Sequence, residues 1–260
     1  MPTEAENITV NAAMVRKVLD TTAASGHLEH VALVTGLKHY LGPFEAYGTG
    51  ATRDAPFHGD EPRLDAPNFY YAQEDELWQA ADRHRFAWSV HRSHTMIGHA
   101  IGNAMNLVPG NEVQRNGVTD MTDSRLLARQ MIWATNPGLP SQAYSTANGD
   151  VFRWRWMWPR IAQMLGVEPE GYAHRPRPLG EQMAGKADLW RQLVERESLV
   201  EPDLARVASW WHTDSDLNRP VECFTDMTRS RSAGFTDHAD TLTSFATLFD
   251  ILRNDRVIPG

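Results

Sequence analysis

The stretch that most constrains the fold is residues 31–40, VALVTGLKHY. Four apolar residues, Val31 to Val34, read as a short buried strand, and Thr35 and Gly36 end it. Lys38 follows at once. Open parallel sheets place ligand chemistry at the C-terminal ends of their strands, so Lys38 stands where a cation can act on a bound molecule. On local pattern alone the surface-charge reading is favoured.

The surrounding chain supports an α/β reading. Met14, Val15, Val18 and Leu19 form an apolar helical stripe, with Asn11 as the expected cap and Gly26 beyond its end. Residues 42–67 are rich in Gly, Pro and Asp and read as a loop. Asn68 is the expected cap of the next helix, which turns Leu77, Trp78 and Ala81 inward. Residues 86–91 read as another strand. A helix–strand–helix–strand series of this kind belongs to an α/β sheet.

Residues 93–119 carry many Gly, Asn and His and little periodicity. Helical patterns return at 124–134 (Leu126, Leu127, Met131) and after Asp150, taken as the cap of a helix bearing Trp154, Met157, Trp158 and Ile161. More follow at 187–197 (Leu189, Trp190, Leu193, Val194), at 203–211 and at 237–253 (Leu242, Phe245, Leu248, Phe249, Leu252), with Gly234 closing a short helix. The aromatic stripe after Asp150 reads as a core face. The expected division is therefore residues 1–120 as an α/β section and 121–260 as a mostly helical region, packed together as one globular unit.

Composition narrows the function classes. A net charge of −8 does not suggest a nucleic-acid or anionic-membrane partner. One cysteine, Cys223, precludes an internal disulfide and fits a reducing compartment, where it reads as a small buried hydrophobe. No apolar run approaches the about 20 residues of a membrane span, and the polar N-terminus is unlike a signal peptide. A cytoplasmic setting is expected. The pairs His27/His30 and His91/His94 have metal-compatible spacing without a third ligand nearby, so no metal is expected. No G-x-S-x-G elbow occurs.

Four blocks together carry a resemblance: TGLKHYLGPFEAYG (35–48), NFYYAQED (68–75), WSVHR (88–92) and NGDVFRWRW (148–156). With them, nearly the whole chain from about Asn11 resembles the progesterone 5β-reductase and iridoid synthase-like family of atypical short-chain dehydrogenases. Most short-chain dehydrogenases take Tyr and Lys from one Tyr-x-x-x-Lys helix, and that pattern does not occur in this sequence. The family instead takes Lys from a strand end and Tyr from a later helix, and Lys38 and Tyr70 match those positions.

The resemblance implies a Rossmann-type extended short-chain dehydrogenase fold, NADPH as cofactor and a small enone or enal substrate whose C=C bond undergoes 1,4-reduction. A homodimer is also compatible with it. By the same resemblance Phe44 and Phe235 line the substrate pocket. Thr35, Gly36, Arg92 and Ser93 sit at strand ends near the nicotinamide, and Ser93 stands where family members commonly have Pro. Two departures are expected. The first βαβ section with its glycine-rich phosphate turn is not found in this sequence, since Gly48-Thr-Gly50-Ala-Thr-Arg53 follows a loop and has two of three glycines. About two elements are also expected to be deleted between 102–107 and 116–120. Weak NADPH binding is the corresponding expectation. The alternatives are another extended short-chain dehydrogenase activity, carbonyl reduction or epimerisation, and an inactive remnant that serves as a binding domain.

Overall fold

The structure is a computed structural model, and it describes residues 3–47, 53–97, 110–169 and 171–260. The two-glycine turn (48–52) and most of the expected deletion (102–109) lie outside these residues. In chain order the elements are α1 (Glu4–Ala23), β1 (His30–Gly36), α2 (Lys38–Leu41), α3 (Phe69–His84), β2 (Ala87–Ser93), β3 (Met96–Ile97), α4 (Glu112–Asn116), β4 (Thr122–Asp123) and α5 (Ser124–Ala134). Then come β5 (Gln142–Thr146), α6 (Trp154–Met164), α7 (Leu179–Met183), α8 (Ala187–Glu197), α9 (Leu204–Val207), α10 (Trp210–Leu217), α11 (Thr228–Ser232) and α12 (Thr241–Asn254).

Two compact units share the chain. The first is Met1–Thr95, Arg125–Ala147 and Phe224–His238, and the second is Met96–Ser124, Asn148–Cys223 and Ala239–Gly260. These contacts group the residues differently from a single cut at Asp120. Residues 125–147 and 224–238 cluster with the first 95.

The first unit holds a parallel three-stranded sheet in the order β1-β2-β5 among the described residues. Its register pairs Leu33 with Val90, Gly36 with Ser93 and Ser93 with Thr146. All three strands therefore end level with one another. Side chains alternate across a sheet. One face carries Val90, which packs with Leu19, Leu77, Ala80 and Phe86 under α1 and α3. The other face carries Ser89 and His91. His91 Nδ1 lies 2.8 Å from Gln130 Oε1, and its Nε2 lies 2.9 Å from Ser89 Oγ. Burial holds the His91 pKa down at about 4, so the ring is a neutral core histidine. β5 escapes an apolar-pattern reading because its buried residues, Tyr144, Ser145 and Thr146, are polar-tipped.

α1 starts earlier than its apolar stripe suggests. Thr3 caps it in a reciprocal box with Glu6, the Glu6 N–H donating to Thr3 Oγ1 at 3.2 Å and the Thr3 N–H to Glu6 Oε2 at 2.7 Å. Asn11 is therefore not a cap. It lies inside the helix, donating to the Asn7 carbonyl at 2.8 Å and accepting from Gln73 of α3 at 3.2 Å. Asn68 is a cap, as its position before Phe69 implies.

In the second unit Met157, Trp158 and Ile161 of α6 pack with Phe245, Leu248 and Leu252 of α12, so the aromatic stripe is a core face. Four details differ from the sequence pattern. Asp150 does not cap α6. Its carboxylate accepts from the Thr241 N–H at 2.9 Å and the Thr241 hydroxyl at 2.6 Å, holding the start of α12. Leu189 is 60% exposed, because only Trp190 of α8 is fully turned into its cluster. The pattern at 203–211 is broken by extended backbone at Ala208 into α9 and α10. Finally α12 begins at Thr241, where the Asp240 carboxylate caps Thr243. Cys223 is fully buried, and burial pushes its thiol up to about 11. Among the described residues no helix is long and apolar enough to cross a membrane.

Candidate active site at the strand ends of the first unit

The site is built where β1 gives way to α2. Gly36 ends the strand where a side chain would crowd its neighbours. A Cβ there would stand 3.2 Å from the Ser93 carbonyl oxygen and 3.3 Å from the Tyr70 hydroxyl oxygen. The Tyr70 hydroxyl is thereby placed against the paired ends of β1 and β2. The chain turns at Leu37 into α2, whose first residue is Lys38. Gly42 then takes a φ of +75°, a left-handed backbone that suits glycine. A 3₁₀ turn at Phe44–Ala46 follows, and the Lys38 ammonium lies 4.4 Å from the Phe44 ring centroid.

The start of α3 completes the arrangement. The Lys38 ammonium is also 5.0 Å from the Phe69 ring, and the Phe69 and Tyr70 rings lie 4.2 Å apart. Lys38, Phe44, Phe69 and Tyr70 thus form one contiguous group, and all four are partly exposed. An ammonium against two aromatic faces is attracted by their quadrupoles while part of its water is displaced. Its field then acts through a medium less polar than bulk water.

The neighbouring residues behave differently. The Tyr71 hydroxyl donates to the His39 carbonyl at 2.7 Å and accepts from the Leu64 N–H at 2.9 Å. It is engaged in holding backbone. The His39 ring is 1% exposed, and its Nε2 lies 3.0 Å from the Glu61 carbonyl oxygen. Burial, with the Arg92 charge adding to it, holds its pKa down at about 3, so the ring stays neutral.

Beneath these residues lies a buried ion network. Glu74, whose side chain is fully buried, accepts from Arg92 at 3.3 Å and from Arg63 at 3.2 Å. Arg63 also reaches Asp75 at 2.8 Å, and its guanidinium lies 4.9 Å from the Tyr71 ring and 4.6 Å from that of Trp78. Arg92 donates to the Gly59 carbonyl at 2.9 Å. The network pins the long 42–67 loop to α3 and β2.

Sequence-expected residues divide accordingly. Lys38, Phe44, Tyr70 and Gly36 come together. Ser93 joins them through its carbonyl, while its hydroxyl donates to the Thr35 carbonyl at 3.1 Å. Thr35 is 2% exposed, and its own hydroxyl finds no hydrogen-bond partner. The Arg92 side chain turns inward to Glu74. Phe235 belongs to a separate aromatic group, buried with its ring 5.3 Å from Trp133, which in turn lies 5.0 Å from Tyr144.

Sequence reasoning missed Glu74 and Arg63. A signal for Glu74 was present: it lies three residues after Tyr71 and three before Leu77, on the face expected to be buried.

The arrangement can be tested against a nicotinamide dinucleotide. The strand-end backbone at Gly36 and Ser93, with a hydroxyl placed against it, fits the nicotinamide end. Pyrophosphate needs a strand, a glycine-rich turn and a helix N-terminus. Among the described residues β1 leads instead into the four-residue α2, β2 into His94-Thr95 and β5 into Ala147-Asn148.

No family model matches the chain. Among solved structures it is similar to RMD of Pseudomonas aeruginosa complexed with NADPH. The TM-score is 0.63 at 13% identity, covering 95% of this chain and 73% of that one. It is also similar to WbmG of Bordetella bronchiseptica in complex with NAD and UDP, with a TM-score of 0.61 at 10% identity over 98% and 68% of the two chains. The fold is thus that of the Rossmann-type extended short-chain dehydrogenases, an α/β class with a parallel sheet and many helices.

Sequence comparison is more specific. The chain is 33% identical over 283 residues to an (S)-8-oxocitronellyl enol synthase of Camptotheca acuminata, covering 99% of this chain and 72% of that protein. It is 33% identical over 280 residues to the 3-oxo-Δ(4,5)-steroid 5β-reductase of Arabidopsis thaliana, covering 98% and 71%. The chain belongs to the progesterone 5β-reductase and iridoid synthase-like family.

Proposed function

We propose that the chain acts as an NADPH-dependent reductase of C=C bonds conjugated to a carbonyl, with Tyr70 and Lys38 stabilising the enolate. The observation that carries this reading is the meeting of Lys38, Phe69 and Tyr70 at the end of β1, with the Tyr70 hydroxyl against Gly36. The two relatives point to the same chemistry. One is an enol synthase and the other reduces a 3-oxo-Δ(4,5)-steroid.

The nicotinamide, when bound, supplies a hydride. Addition of hydride at the β-carbon moves the C=C electron pair towards the carbonyl, leaving negative charge on its oxygen. A Tyr70 hydroxyl aimed at that oxygen donates to the charge as it develops, the stage at which a hydrogen bond lowers the barrier. The Lys38 ammonium contributes a positive field at the same place. A proton taken up from solvent at the α-carbon then restores the ketone or aldehyde. Phe44, over the Lys38 ammonium, is proposed to form one wall of the substrate pocket and Phe235 another. Thr35, Gly36, Arg92 and Ser93 are proposed to border the nicotinamide, Arg92 through its backbone, since its side chain is committed to Glu74.

Two further elements belong to the proposal, a cytoplasmic setting and a homodimer. A functional boundary near residue 120 separates the proposed nucleotide-side residues from the substrate-side region.

The test is oxidation of NADPH by the purified chain with an open-chain enal, a cyclic enone and the matching saturated ketones. Turnover of enal or enone, lost in Tyr70→Phe, supports the reading. Turnover of the saturated ketones alone, or a Tyr70→Phe variant as fast as the parent, overturns it.

A further inference from the structure

We infer that Asn68 is a positioning residue that ties Lys38 to Tyr70, and that it must be asparagine because both arms of its amide are used. The inference rests on the Lys38–Tyr70 reading above. Asn68 is 3% exposed. Its Oδ1 accepts from the Tyr70 N–H at 3.0 Å, the ordinary task of a helix cap. Its Nδ2 donates to the Lys38 carbonyl at 2.6 Å. A single planar amide therefore joins the backbone of two residues 32 positions apart, one at the strand end and one in the first turn of α3.

The surroundings give this link consequence. The Lys38 carbonyl also accepts from the Gly42 N–H at 3.0 Å, closing α2. The Tyr71 hydroxyl holds the next carbonyl, that of His39. The first turn of α3 thus grips α2 at two successive carbonyls. Removing the Asn68 arm leaves the grip at His39 but lets the Lys38 backbone pivot about it. The ammonium reaches the Phe69 ring, which lies against that of Tyr70, from that backbone, and its effect on a charge falls with distance.

The residue types at this position can be separated by chemistry. Ser, Thr, Asp and Asn all cap helices comparably well. Of these only Asn carries its acceptor and its donor on two separate atoms, set apart across a planar amide. Serine keeps the cap without adding charge, but its one hydroxyl, an atom nearer the backbone, stands in for Oδ1 and leaves nothing in the place of Nδ2 beside the Lys38 carbonyl. Aspartate keeps the cap and sets a second oxygen against the Lys38 carbonyl.

The experiment compares the parent chain with Asn68→Ser and Asn68→Asp, following tyrosinate absorbance of the unliganded protein against pH. The Tyr70→Phe version of each protein provides the blank that isolates the Tyr70 signal. Far-ultraviolet circular dichroism and a thermal melt check the fold. In both variants the Tyr70 signal is expected at higher pH than in the parent, because the ammonium is less well held beside it. A shift in the aspartate variant alone would be the work of the added charge and would overturn the inference. So would an unshifted signal in a folded serine variant. If serine does not fold, an aspartate variant titrating with the parent overturns the inference equally.

Kinetics give a second readout. Asn68→Ser is expected to lower kcat for enone reduction about tenfold with KM within about threefold of the parent, the signature of a misplaced group that acts in the transition state. A KM effect with unchanged kcat would assign Asn68 to binding or folding and overturn the positioning role. Failure of the underlying reading looks different. In that case Tyr70→Phe and Lys38→Met are themselves without effect on turnover.

Discussion

Residues 38 and 70 and their immediate neighbours, 39 and 71, are built from the same two short segments and end in opposite conditions. Lys38 and Tyr70 are partly exposed and meet around the Phe69 ring. His39 and Tyr71 are buried and turned to backbone, the Tyr71 hydroxyl to His39 and Leu64 and the His39 Nε2 to Glu61. In the first turn of a helix, adjacent residues point about 100° apart. One step along the chain therefore separates a side chain directed at the strand ends from one directed into the core. The inner pair, with the Glu74 network below it, makes the outer pair's geometry repeatable.

The sharpest way to break this comparison is to remove the two tyrosine hydroxyls in turn. Tyr70→Phe is expected to lower enone turnover by about 10²–10³-fold with little change in melting, as for loss of one donor to a developing oxyanion. Tyr71→Phe is expected to do the reverse. It leaves the His39 carbonyl and the Leu64 N–H without their partner, at a cost of about 1–3 kcal/mol in stability. Steady-state kinetics and denaturant melts of both variants check the assignment, and a matching pattern in the two would erase the distinction.

Next in size is the network itself. Glu74→Gln leaves Arg92 inside the protein without its counter-charge. The Arg92 side chain is 7% exposed, so the loss is expected to be about 3–5 kcal/mol. Urea melts measure it. The more exposed Arg63–Asp75 pair, with Asp75 about half exposed, is expected to contribute less than about 1 kcal/mol when Asp75→Asn removes it.

The buried histidines give a pH signature. The folded chain holds His39 down to about 3 and His91 down to about 4, against an ordinary 6.5. As pH falls below 6.5 the unfolded chain takes up protons first, so the native state loses ground between 6.5 and the folded values. Above 6.5 these two groups contribute no pH dependence. Each is expected to add a slope of at most about 1.4 kcal/mol per pH unit across that window. Melts from pH 7 to pH 4 should therefore steepen with acid in the parent and less so in His91→Gln. Equal slopes in the two would remove His91 from this account.

How much of this was readable follows from what kind of signal each part leaves. The β1 strand end and the Asn68 cap announce themselves through an apolar run and a capping residue, and both stand where expected. The NFYY block places Tyr70 only by resemblance, because two adjacent tyrosines are indistinguishable until the phase of α3 is known. β5 buries Tyr144, Ser145 and Thr146, the last two with hydroxyls met by Tyr40 and Gln130 across the chain, so it leaves no apolar pattern. Partners of that sort are distant in sequence. Glu74 is legible by its place on the buried face, but its partners are hidden for the same reason, since burying a carboxylate needs a cation that the local sequence does not point to. The start of α1 was legible as Thr3-Glu-Ala-Glu6 and was obscured by the apolar stripe further on.

The smallest effect concerns Phe44, whose ring lies over the ammonium on the outer side of the comparison. Phe44→Leu keeps a side chain of similar bulk and removes the aromatic face at 4.4 Å from the Lys38 nitrogen. A cation–π contact at a partly exposed position is worth about 0.5–1 kcal/mol, so the melt should move by little. Turnover is informative because it divides two roles. A ring that only packs beside Lys38 changes kcat slightly and leaves KM alone. A ring that also walls the substrate pocket raises KM for a bulky cyclic enone more than for a small open-chain enal, since the lost apolar contact scales with the area the substrate covers. A several-fold difference between the two substrates is expected. Equal KM changes for both would return Phe44 to the inner, structural class and narrow the reactive group to Lys38, Phe69 and Tyr70.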